Sequence, residues 1–63
     1  MSGTHYEEKT YWFTDRESGE DFFVEAENIK TAKAIAREYF GDMTIFHCAV
    51  TQEFAEMQGW DTY

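Results

Sequence analysis

The stretch Asn28 to Gly41, NIKTAKAIAREYFG, constrains the fold of this chain more than any other. At about 100° per residue, Ile29, Ala32, Ile35, Ala36, Tyr39 and Phe40 fall within an arc of roughly 140°. That pattern predicts one amphipathic helix with a face to bury. Both of its ends are marked. The Asn28 side chain can accept a bond from a free N–H of the first turn. Gly41 can enter the left-handed conformation past the last turn without a Cβ penalty. A helix with a single apolar stripe needs a second layer, and the segments on either side of it read as strands.

Lys9 to Asp15, KTYWFTD, is rich in aromatic and β-branched residues and predicts a strand. Arg16 to Glu20 carries Ser18-Gly19 and reads as a turn. Asp21 to Glu27, DFFVEAE, predicts a second strand, and the short loop makes the pair an antiparallel hairpin. After the helix, Met43 to Thr51, MTIFHCAVT, reads as a third strand. Residues 52–58 read as a short final helix ending at Gly59, with Thr51 as its N-cap and Glu53 in its first turn. Residues 1–8 are polar and aperiodic and are expected to form a flexible arm, leaving 9–63 as one small domain. The predicted class is α+β: a ββαβ three-stranded sheet, antiparallel or mixed, with one helix on one face. A right-handed crossover over the first strand gives sheet order 2-1-3.

Strand alternation then divides the side chains between two faces. Tyr11, Phe13, Phe22, Val24, Ala26, Phe46, Cys48 and Val50 are assigned to the helix-covered face. Trp12, Phe23, Ile45 and His47 fall on the other, beside Thr10, Thr14, Asp21 and Glu25. Two readings of that second face are open. Phe54, Met57 and Trp60 recur at three-residue spacing, so the C-terminal segment folds back and covers it. Alternatively, the aromatic cluster with its rim of carboxylates is a partner-binding patch, as such clusters are at interfaces.

Charge narrows the function classes. The chain has 13 acids and 5 bases, a net charge of −8. Lys30, Lys33 and Arg37 lie on the predicted helix, which holds one acid, Glu38; outside residues 29–40 there are 12 acids against Lys9 and Arg16. Direct nucleic-acid binding is disfavoured, because phosphate affinity needs a basic surface, and anionic membrane is disfavoured for the same reason. The N-terminal segment has no apolar run, so neither a signal peptide nor a membrane span is expected. The single cysteine, Cys48, forms no internal disulfide and fits a reducing cytoplasm.

Catalytic and metal chemistry find little support. His47 and Cys48 are adjacent in a predicted strand, so alternation points them to opposite faces and away from a shared metal. The acidic turn Asp15 to Asp21 lacks the ligand spacing of a calcium loop. No catalytic, cofactor-binding or metal-ligating residue is assigned. A chain of this length also leaves little volume for a pocket after building a core.

The segments YWFTDRESGEDFFVEAENIKTAKAIAREYF and TQEFAEMQGWDTY resemble the very small acidic ββαβ proteins encoded by phages and mobile elements. Several anti-CRISPR and anti-restriction proteins share this size and acidity. The resemblance implies inhibition of a host nucleic-acid-handling enzyme. The functional expectation is a non-enzymatic protein that docks on a basic surface of a partner protein. Its contacts are expected at Trp12, Glu20, Asp21, Phe23, Glu25 and Ile45. The competing expectation is an accessory protein or homodimer that self-associates through the open sheet face or a sheet edge.

Overall fold

A computed structural model describes residues 9–63, so the expected arm at 1–8 lies outside the described residues. Strand β1 spans Lys9–Asp15, β2 Asp21–Ala26 and β3 Thr44–Val50; helix α1 spans Ile29–Phe40 and α2 Gln52–Gln58. The sheet has three strands in the order β2-β1-β3, with β1 antiparallel to both neighbours. The fold is α+β, with the ββαβ arrangement and the short C-terminal helix that the periodicities predict.

Local chemistry accounts for the boundaries. The β1–β2 turn is held by Asp15, whose carboxylate accepts from the Glu17 N–H at 3.2 Å and the Ser18 hydroxyl at 3.0 Å. Asn28 accepts from the Thr31 N–H at 2.9 Å and starts α1. Gly41 stops it, donating its N–H to the Arg37 carbonyl; its φ of 84° is positive as expected, but its ψ of −164° lies outside the left-handed helical region, in extended backbone open to glycine alone. Thr51 accepts from the Phe54 N–H at 3.1 Å and starts α2, which ends at Gly59 in the left-handed conformation.

The core lies between α1 and the sheet. Tyr11, Phe13, Phe22, Val24, Ala26, Ala32 and Ala36 are buried there, with Ile29, Ile35, Phe40 and Phe46 packed against them. Phe22 stacks between Phe13, at 5.6 Å, and Phe40, at 4.0 Å. The alanines let α1 lie close to the strands, and the large aromatic rings fill the layer between them. Tyr39 departs from the predicted buried arc. It is 61 % exposed in the last turn of α1, and its ring lies 4.9 Å from that of Tyr63.

A register shift in β3 changes the expected face assignment. Phe13 pairs with Phe46, but Trp12 pairs with Cys48, so β3 carries an extra residue, His47, at this bulge. Residues directly opposite one another share a face, and a one-residue shift moves every later side chain across the sheet. Cys48 and Val50, assigned from alternation to the α1 face, therefore pair with Trp12 and Thr10 on the other side. Cys48 is exposed and is not a core residue. His47 lies on the same side, with its ring 4.4 Å from that of Trp12. The expectation that His47 and Cys48 face apart fails for this reason.

Candidate protein-docking face

The face opposite α1 is built on Thr10, Trp12 and Thr14 of β1, which pair with Glu25, Phe23 and Asp21 of β2. It is not open. Helix α2 lies across it, and Phe54 and Trp60 cover the aromatic cluster. The Trp60 ring stacks on Phe23 at 5.1 Å and sits 5.7 Å from Trp12. Phe54 lies 6.1 Å from Trp12 and meets Phe23 edge-on at 6.3 Å. Phe23 is fully buried, so it is withdrawn as a partner contact, and Trp12 is half-buried. Self-association through an open sheet face loses its surface for the same reason. The spacing of Phe54, Met57 and Trp60 was a sound cue for two of the three. Met57 points outward and is 82 % exposed.

The chain then seals the free edge of β2. Residues 61–63 run parallel to it: the Phe23 N–H donates to the Asp61 carbonyl at 2.9 Å, the Tyr63 N–H to the Phe23 carbonyl at 2.8 Å, and the Glu25 N–H to the Tyr63 carbonyl at 2.9 Å. Nothing local in Trp60-Asp61-Thr62-Tyr63 signals this pairing. The Tyr63 ring ends beside Phe22 and Phe40, edge-on to both. Desolvation raises its hydroxyl pKa above the ordinary 10.0, with further contributions from the charges of Asp61 and Glu20 and from Tyr39.

A polar chain ties the three strands beneath α2. Asp21 Oδ1 accepts from Trp12 Nε1–H at 3.2 Å and from the Thr14 hydroxyl at 2.6 Å. Thr14 Oγ1 also lies 2.7 Å from His47 Nε2. A threonine hydroxyl has one proton, and the short distance to a carboxylate oxygen is that of a charge-assisted bond, so the proton points to Asp21. His47 Nε2–H then donates to Thr14. Alternation placed these four side chains on one face; that they bond to one another was not legible. Asp21 is thus half-buried and structural, contrary to the expectation of a free surface acid.

Of the six expected contact residues, Glu20 and Glu25 are exposed on the β2 side, and Asp21 sits inward between them. Ile45 is 41 % exposed but belongs to β3, across β1 from the acids. The acidic surface gains residues that sequence reasoning left out. Glu53, Glu56 and Met57 occupy one exposed flank of α2 at helical spacing, and Asp61 follows in the tail.

Charge is divided between the two layers. Lys30, Lys33 and Arg37 ride on α1, and Lys9 pairs with Ala26, a residue of the α1-side core. Residues 38–63 contain five acids and no lysine or arginine. Among the described residues the only ion pair is Arg37 Nε to Asp42 Oδ1, 3.1 Å, between exposed side chains. The acids of α2 and the tail are therefore not neutralised by neighbours among the described residues.

Two shallow grooves flank β3. One, of about 340 Å³, lies between α1 and β3 over Phe13 and Phe46, with Lys33 and Arg37 on its wall. The other, of about 430 Å³, lies at the far end, where Lys9 lines it together with Thr10, Glu25, Val50 and the start of α2. Among the described residues no three His, Cys, Asp or Glu side chains are grouped to hold a metal ion, and no helix is long and apolar enough to cross a membrane. Compared with known proteins, this chain matches no family model, no curated protein and no solved structure.

Proposed function

We propose that this chain is a non-enzymatic binding protein whose α2 layer docks on a basic surface of a protein partner. The observation that supports this most is the division of charge between layers. Glu25, Glu53 and Glu56 are exposed on the α2 side, and the chain carries no lysine or arginine from residue 38 onward. The three helical bases are held on the opposite layer by the apolar stripe of α1, which fixes which way that helix turns. A field of one sign on one face attracts an oppositely charged partner and orients it on approach. Met57, exposed between these acids, offers an adaptable apolar contact at the centre of the rim. The partner class that the acidity and the small size favour is a nucleic-acid-handling enzyme, whose own basic groove this face would occupy.

The test is the association rate against a partner recovered from a host lysate at low salt. Glu53→Gln with Glu56→Gln should slow association about threefold to tenfold and flatten its salt dependence. Lys30→Gln with Lys33→Gln should leave it unchanged or speed it, since those charges repel a basic partner. Asp21 is excluded from the charge set because it holds Trp12 and Thr14 in place. Binding abolished by the lysine changes and untouched by the glutamate changes would move the docking face to α1.

A further inference from the structure

Beyond the acidic face, the outer edge of β3 is a second interaction surface, and we infer that it pairs with β3 of a second copy of this chain. The two sheet edges are treated differently. The tail covers the β2 edge with main-chain bonds, whereas β3 is a terminal strand of the sheet with no strand paired outside it among the described residues. Natural edges are blocked by charges, proline, a covering segment or a bulge that throws a regular partner out of register, because an unpaired strand templates another; of these β3 has the bulge alone. Strand β3, TIFHCAV, holds no charged residue and no proline, and Met43 to Gln52 is the longest run without a charged residue in the chain. Helix α1 lies more over β2 than over β3, which leaves Phe46 half-buried; Met43 is exposed just before the strand, and Ile45, on the opposite face with Thr14, is exposed along the same edge.

Charge and register both select a second copy over another strand. Two molecules of net charge −8 repel wherever acids meet, and the uncharged β3 edge is where they meet least. A basic partner gains nothing there, having no acid to pair with. The bulge adds the second argument. Its extra residue would throw a regular partner strand out of register beyond His47. A second copy brings the same extra residue. Antiparallel pairing about a two-fold axis between His47 and Cys48 sets one bulge against the other and keeps the register on both sides. Such an interface is isologous and closes as a dimer. An axis normal to the sheet keeps both α2 layers on one side, so the dimer presents two acidic faces together.

The register makes Cys48 a direct probe. Cys48 would face His47 of the other copy, and the two Cys48 Cα atoms would lie about 6 Å apart, from the strand spacing and the rise per residue. That is within reach of a disulfide. Diamide, which takes the two electrons and two protons, should trap wild-type protein as a Cys48-linked dimer. The variant Cys48→Ser with Thr44→Cys should not cross-link, since its thiols would sit about 20 Å apart.

Sedimentation equilibrium from about 10 µM to about 500 µM should show monomer and dimer, with the dimer favoured by added salt as repulsion is screened. Basic-partner docking responds to salt in the opposite sense, so the two results are distinguishable. Cys48→Glu should raise the dimer dissociation constant by at least about tenfold, with far-UV circular dichroism confirming the fold. A wild-type monomer across that range overturns the proposal. So does cross-linking through position 44 that equals cross-linking through Cys48.

Discussion

Trp60→Ala tests whether α2 and the tail are a structural lid. Trp60 is half-buried, stacked on Phe23 at 5.1 Å and 5.7 Å from Trp12. Two aromatic pairs contribute about 0.5–1.5 kcal/mol each beyond area burial. Full truncation of a core tryptophan costs about 3–5 kcal/mol. For a ring exposed in part, a loss of about 2–4 kcal/mol follows. At about 0.05–0.15 kcal/mol per residue, the whole domain has on the order of 3–9 kcal/mol. The substitution therefore removes a large share of the total and lowers Tm by roughly 10–30 °C. Thermal unfolding followed by fluorescence is the assay, and it has an advantage here. The variant retains Trp12 alone, so its emission reports on the uncovered face and should shift to the red. Amide exchange should quicken first at Phe23 and Glu25, whose N–H groups donate to the tail. A Tm within about 2 °C of wild type, with Trp12 emission unchanged, would show that the α2 layer adds no stability and that Phe23 is protected in some other way.

Two further outcomes follow from the backbone and from Tyr63. Gly41 has φ 84° and ψ −164°, a region nearly closed to side-chain-bearing residues, and a Cβ there would touch nothing. Gly41→Ala should thus cost about 1–3 kcal/mol of backbone strain in a urea melt without rearranging neighbours; a cost near zero would mean that the end of α1 has another conformation. The Tyr63 pKa is raised in the folded state, so its contribution to stability is complete below pH 10.0 and is lost as pH rises through the folded value. Tyr63→Phe should flatten the fall in stability above about pH 10, and an identical alkaline slope in wild type and variant would refute the assignment.

What the sequence determined by itself was everything set by near neighbours. The Asn28 and Thr51 caps and the glycines that end both helices depend on contacts within one turn and appear where the residues place them, and the helical stripe does so except at Tyr39. The strand order followed from connection rules, and the α1-side core followed from alternation as far as Phe46. The tertiary structure decided the rest. Alternation counts residues, so a single bulged position inverted Cys48 and Val50, and only pairing with β1 reveals that position. The fate of Trp12 and Phe23 depended on where Phe54, Trp60 and the tail come to rest, a long-range packing choice that the spacing of Phe54 and Trp60 suggests but does not decide. Asp21 reads as one more acid in the chain. It becomes a structural tie because the fold brings Trp12 and Thr14 within hydrogen-bond distance of it, and His47 within reach of Thr14. Charge totals were legible from composition, but their division between two faces required α1 and α2 to lie on opposite sides of one sheet.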